Sequence, residues 1–232
     1  MIPLRALPRA FVQIPNLNPT QPIPLPEEEF KKFRSVLRLS SGDEVALLPG
    51  DGSVIRATLD GKLAIPSDVQ HPQTESPIEI TLALGLPKPD SLEDSVRMAS
   101  ELGVAHIILF TARRSVVKWE PAKLDKKLQR LQTIAREACE VAYRTKLPTF
   151  QVLPELKTVL EQAQNPYVLS ESDRAETPFP QITKPTTLVV GPEGGWDPIE
   201  TKLIINPITL GPRVLRVSTA VATACALALS NR

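Results

Sequence analysis

Two short stretches near the end of the chain gather the residues that could do chemistry. The apolar run "TTLVV" passes directly into Gly191-Pro-Glu-Gly-Gly-Trp196, and "PITL" passes into Gly211-Pro-Arg-Val-Leu-Arg216. Glycine at the end of a buried strand lets a ligand approach the main chain, whose N–H and C=O groups then do the binding. The prolines Pro192 and Pro212 limit the entropy lost on fixing such loops. In open α/β sheets, ligands bind beyond the carboxyl ends of the strands. Each loop also carries charge: Glu193 in the first, Arg213 and Arg216 in the second. Neither loop reads GxGxxG or GxxxxGK[ST], which disfavours a phosphate-cradling nucleotide site. The bland reading of both is a tight turn, and of the arginines an ion pair with Glu193 or a helix-end contact.

Elements that could hold these loops in place follow from periodicity. From residue 78 strands and helices alternate, the pattern of an α/β domain. "IEITLALGL" (78–86) and "VAHIILF" (104–110) have the composition of buried strands, with further strands expected at "TFQV", "YVLS", "TLVV" and "PITL". Between the first two, a helix is expected with Ser91 as cap, Asp94 at N3 and Gly103 as stop. Residues 121–144 form the clearest helix, started by Pro121, with Leu124, Leu128, Leu131, Ala135, Ala138 and Ala142 on one stripe. Residues 218–230, "STAVATACALALS", are apolar nearly all round and small, as a helix buried on most sides must be. Ser218 or Thr219 could cap it.

The first part of the chain differs. "FVQI" (11–14), "EVALLP" (44–49), "SVIRATL" (53–59) and "KLAIP" (62–66) have strand character, with "PGDGS" (49–53) as a turn. An inserted helix in 26–43 places Phe30, Phe33, Val36 and Leu37 on one face. This predicts a small β-barrel over 1–72, a linker at 67–77, and an α/β domain over 78–232.

Composition excludes several classes. Two cysteines, Cys139 and Cys225, rule out a disulfide framework and a Cys-rich zinc site, and fit a reducing, cytoplasmic setting. Two histidines, His71 and His106, are too few for a His-based metal centre, so no metal is expected. His106 reads as a core histidine within its strand. No apolar run is long enough for a bilayer, and the N-terminus lacks the apolar core of a secretory signal. Net charge is +1, yet residues 113–146 hold ten Lys/Arg against four Asp/Glu, a local basic surface. Trp119 and Trp196 could stack on a base, although a buried tryptophan is the commoner use.

"LVVGPEGGW" and "LGPRVLRVSTAVATACAL" closely resemble the signatures of the 16S rRNA (uracil-N3)-methyltransferase family, the ribosomal small subunit methyltransferase E family of the SPOUT class. The resemblance extends to "VLRLSSGDEV", "ASELGV", "RRSVVKW" and "IAREACEVAYRTKLP". It implies an N-terminal PUA-like β-barrel, a C-terminal α/β SPOUT domain with a deep trefoil knot, and a homodimer. It implies S-adenosyl-L-methionine held by Leu169, Gly191, Glu193, Gly195, Leu210, Gly211, Val214, Leu215 and Thr219. It implies 16S rRNA of the small ribosomal subunit as partner, gripped by Arg38, Arg114, Lys118 and Arg144. Arg213 and Arg216 would act in catalysis by favouring the anion that forms as uracil N3 loses its proton. The chain departs from the family's usual residues at Lys32, Ser35, Ser91, Met98, Val141 and Ser218. Intact glycine loops favour an active enzyme over a non-catalytic RNA binder; the departures favour a binder or an enzyme with another RNA target.

Overall fold

A computed structural model of the protein describes residues 2–12, 17–171, 177–205 and 207–230. Contacts divide the chain into two units, Met1–Glu75 with Cys139–Leu147, and Ser76–Ala138 with Pro148–Arg232.

The first unit is a five-stranded sheet in the order β1-β3-β4-β5-β2. Its strands are β1 (Arg9–Phe11), β2 (Ile23–Pro24), β3 (Glu44–Leu48), β4 (Val54–Asp60) and β5 (Leu63–Gln70). β1 runs parallel to β3, and the other pairs are antiparallel. Side chains alternate between faces along a strand, and both faces here are apolar. Val45, Leu47, Ile55, Ala57 and Leu59 share one core with Phe33 and Ile23. Ala46, Leu48, Val54 and Phe11 share another with Leu4, Leu7, Cys139 and Tyr143. That second core is why Cys139–Leu147 belongs here, although the sequence division placed it in the second domain. The Glu140 carboxylate accepts the Phe11 N–H at 2.9 Å.

Three expectations for this unit need correction. The polar stretch 67–77 is not all linker, because β5 continues to Gln70 and pairs with Val54–Arg56. The inserted helix, α1 (Glu27–Lys31), passes into a π-turn over Lys32–Val36, with Leu37 N–H donating to Lys32 C=O at 3.0 Å. The wider turn breaks the 3.6-residue stripe: Phe33 is buried, but Val36 is 73% exposed. The expected strand at 11–14 ends at Phe11, and Gln13 and Ile14 lie outside the described residues.

The second unit has a fully parallel sheet in the order β8-β7-β6-β11-β9. In chain order its elements are β6 (Ile80–Gly85), α2 (Pro89–Leu102), β7 (His106–Phe110), α3 (Leu124–Val141), β8 (Thr149–Leu153) and α4 (Leu156–Gln162). There follow β9 (Pro166–Val168), β10 (Thr177–Pro178), β11 (Thr186–Val190), α5 (Pro198–Thr201), β12 (Ile208–Thr209) and α6 (Val217–Leu229). A parallel sheet is covered on both faces, so its strands read as continuous apolar runs. On one face Leu82, Leu84, Ile107 and Leu188 meet Val96, Ile134, Val221 and Cys225. On the other Ala83, Ile108 and Val189 meet Leu156 and Val159. Burial pushes both thiols, Cys139 and Cys225, up to about 12.

Helix ends also differ from expectation. α2 begins at Pro89, pre-set by its ring for the first helical position, so Ser91 lies inside the helix instead of capping it; Gly103, at φ 108°, ends it as expected. The N-cap of α6 is Arg216, with no side-chain cap bond, so neither Ser218 nor Thr219 caps it. His106 is no core residue: its side chain is 41% exposed, and Nδ1 lies 2.7 Å from the Thr149 hydroxyl. Among the described residues no helix is long and apolar enough to cross a membrane.

Candidate functional site

The strand order sets the place of the site. From β6 the chain steps outward to β7 and β8, then crosses back to β9, with β11 filling the gap beside β6. The crevice beyond β6 and β11 is therefore a topological switch point, where open α/β sheets bind ligands. A pocket of about 670 Å³ opens there, within the range of small-molecule and cofactor sites. Segments after four parallel strands build it: Lys88 after β6, Leu169–Glu171 after β9, Gly191–Trp196 after β11 and Leu210–Arg216 after β12.

Ten of the eleven residues expected at the catalytic and cofactor site line this pocket. They are Leu169, Gly191, Glu193, Gly195, Leu210, Gly211, Arg213, Val214, Leu215 and Arg216. Thr219 does not; it is exposed on α6, while Val217 and Ala220 reach the pocket. Those two are three apart and share a helix face, which Thr219 does not. Lys88, Ser91, Ser170, Thr201 and Thr209 also line the pocket and were not foreseen. For Lys88 a signal existed: it follows a buried strand at its carboxyl end.

The first glycine loop is bare because of its neighbour. A Cβ on Gly191 would lie 3.1 Å from ring atoms of Trp196. That ring is fixed by its Nε1–H donating to Leu169 C=O at 2.8 Å and by stacking on Phe110, 6.4 Å between centroids at 5°. Trp196 is therefore a buttress for the pocket floor. Gly211 is required for a different reason, its φ of 108°, which L side chains rarely adopt. A Gly191→Val substitution should displace the indole and break its bond to Leu169. We expect at least tenfold weaker cofactor binding by calorimetry, with a red-shifted tryptophan emission. Unchanged affinity would show that the pocket does not need this approach.

The charged groups have distinct roles. Glu193 accepts the Lys88 main-chain N–H at 3.1 and 3.3 Å, joining the loops after β6 and β11. It makes no ion pair with Arg216 among the described residues. The side chains of Arg213 and Arg216 are exposed there, without an ion-pair or hydrogen-bond partner among the described residues. Buried Glu200 is a support that sequence reasoning missed. It forms a capping box with Asp197 and accepts the Arg113 N–H at 3.0 Å, tying α5 to the loop after β7.

The expected RNA-binding residues separate. Arg114 donates to Gly194 C=O at 3.1 Å and lies against the 191–196 loop. Lys118 is exposed in the same unit, and Arg38, at φ 58°, is exposed in the first unit. Arg144 is a correction. It is 4% exposed, and its Nε and Nη2 reach Glu75 at 3.0 and 2.7 Å. It braces the first unit and is not presented for a phosphate. No group of three or more metal-ligating side chains occurs among the described residues.

The pocket fits the cofactor that the resemblance implies. Its walls are apolar at Leu169, Val190, Leu210, Leu215 and Ala220, and its glycine loops offer main-chain groups to a purine.

Comparison with known proteins agrees. The family model for the RNA methyltransferase domain matches residues 74–229. The ribosomal RNA small subunit methyltransferase E of Bacillus subtilis is 31% identical over 214 residues, 83% of this chain and 84% of that protein. The Synechocystis enzyme of the same name is 33% identical, covering 84% of this chain and 68% of that protein. Among solved structures, a ribosomal RNA small subunit methyltransferase E from Neisseria gonorrhoeae bound to S-adenosyl methionine superposes with a TM-score of 0.83 at 26% identity, over 95% of each chain. A Legionella pneumophila structure in complex with the bound cofactor SAM superposes with a TM-score of 0.85 at 28% identity, over 94% of this chain and 95% of that one.

Proposed function

We propose, because this chain belongs to the ribosomal RNA small subunit methyltransferase E family of RNA methyltransferases, that it methylates N3 of a uridine in 16S rRNA, using S-adenosyl-L-methionine. The observation that carries this reading is one pocket lined by both glycine loops and by two arginines without ion-pair partners among the described residues. The bound cofactor supplies a methyl group on a sulfonium, whose leaving group is neutral.

What the chain must supply is alignment and charge. The bare loops and apolar wall hold the cofactor through main-chain groups. Fixing donor and acceptor in one cleft removes much of the entropic barrier to transfer. Uracil N3 carries a proton that passes to solvent water at the exposed mouth of the cleft as the N–C bond forms and the methyl–sulfur bond breaks. The negative charge that develops spreads over O2 and O4. Arg213, Arg216 and Lys88 place cationic groups around the cleft and favour that anion. Glu193, accepting the Lys88 main-chain N–H, fixes the first glycine loop against the loop after β6.

The finer architecture follows the family. The loops after β11 and β12 form a trefoil knot around the pocket, and the first unit serves as a PUA-like barrel that holds RNA. The working unit is a cytoplasmic homodimer; exposed Ile205 and Val214, at 82% and 78%, support an apolar interface.

The test is incubation with labelled S-adenosylmethionine and small subunits from a strain lacking its own enzyme, followed by mapping of the label. A single N3-methyluridine in 16S rRNA is the expected result. Label in another RNA would move the substrate. Cofactor binding without transfer to any RNA would overturn the enzymatic reading.

A further inference from the structure

Beside the pocket lies a second concavity of about 350 Å³, formed by the loop after β6, the start of α2, the segment before α3 and the first half of α3. Its floor is apolar, with Pro87, Pro89, Leu92 and Leu131. Its rim is cationic: Lys123, Lys126, Lys127 and Arg130, against the carboxylate of Glu93. Trp119 forms one wall, with Lys127 Nζ 5.3 Å from the ring centroid.

The charges are not equivalent. Arg130 is held by Glu93 through Nε at 3.2 Å and Nη2 at 3.0 Å, and Lys123 by Glu120 at 2.8 Å. Lys126 and Lys127 face no carboxylate within ion-pair distance among the described residues. An aromatic wall and an apolar floor beside two ammonium groups that no described carboxylate neutralises, Lys127 resting on the Trp119 ring, match the chemistry of a single-stranded nucleotide: a base to stack and a phosphate to neutralise. An acidic peptide would use the ammonium groups but not the aromatic wall.

Position adds a second argument. Lys88 and Ser91 line the first pocket, whereas Pro87, Pro89 and Leu92 line this groove. Residues 87–92 are thus a shared wall, and a strand leaving the first pocket over that wall enters the groove.

We propose that this groove binds single-stranded RNA flanking the target nucleotide, with a base against Trp119 and a phosphate on Lys126 and Lys127. The proposal rests on the reading of the chain as an RNA methyltransferase.

The experiment is fluorescence anisotropy of the full-length protein with a labelled single-stranded RNA on the order of a dozen nucleotides, over a range of salt. Lys126→Gln/Lys127→Gln should flatten the slope of log K against log salt by about 0.7 for each phosphate no longer neutralised. Trp119→Ala should weaken binding about tenfold. Both should keep wild-type cofactor affinity. Should Trp119→Ala fail to fold, the lysine pair carries the test. Wild-type RNA affinity and slope in the variants would overturn the proposal, as would equal competition by a polyglutamate peptide. Loss of RNA binding in a protein that transfers no methyl group leaves the groove assigned and removes the enzymatic reading. Methyl transfer with unchanged RNA binding does the reverse.

Discussion

Replacing Arg216 by alanine should lower kcat by about 10²–10³-fold, the usual loss when one preorganised group facing developing charge is removed. Cofactor affinity should stay within a factor of about two. The structure gives a reason to separate these quantities. Arg216 is the N-cap of α6 and makes no side-chain cap bond. A cation at a helix N-terminus is unfavourable by about 0.3–1 kcal/mol against the macrodipole. Its loss should therefore not weaken the helix, and thermal unfolding should be unchanged or slightly raised. Single-turnover rates at saturating cofactor, with calorimetric affinity alongside, read the two effects apart. Equal loss in rate and affinity would make Arg216 part of the cofactor wall. Arg216→Lys should recover only part of the rate, because an ammonium lacks the planar fork that engages two oxygens at once.

The site was legible where function and local pattern coincide. A buried parallel strand reads as an apolar run, and a ligand loop after it reads as glycine and proline. "TTLVV" before Gly191 and "PITL" before Gly211 show both signals, and both loops line the pocket. What was not legible came from distance along the chain. Lys88 enters the pocket from β6, and its main-chain link to Glu193 spans 105 residues. Glu200 binds the main chain 87 residues upstream, a link that no local pattern announces. The faces of the first sheet show the same limit. Ala46, Leu48 and Val54 alternate correctly, but what covers them, Cys139 and Tyr143, was assigned to the other domain because α3 reads as one continuous helix. Thr219 failed for a smaller reason, since one residue along a helix turns a side chain by about 100°.

Arg144 failed for the same reason of distance, and its partner gives the largest expected change in stability. Glu75 Oε2 lies 2.7 Å from Nη2 of Arg144, and Oε1 accepts the Thr145 and Lys146 N–H groups at 2.8 and 3.2 Å. Burial alone would raise the Glu75 pKa. The Arg144 guanidinium and the two main-chain donors outweigh it and hold the carboxyl below the ordinary glutamate value of 4.5. Arg144 is buried but the Glu75 side chain is 20% exposed, so the loss falls short of that for a fully buried pair. Losing charge-assisted hydrogen bonds costs about 1.5–3 kcal/mol, a large share of the roughly 5–15 kcal/mol that keeps a domain folded. Glu75→Gln should therefore be markedly destabilised at pH 7 in urea. A carboxyl with a depressed folded pKa stabilises the fold above its unfolded pKa, and that contribution is lost as pH falls through the folded value. The gap between wild type and Glu75→Gln should thus be widest near neutrality and close as pH drops below 4.5. A gap that stays constant across that range would mean that Glu75 acts by shape and neutral hydrogen bonds, and that the charge of the pair contributes nothing to the fold.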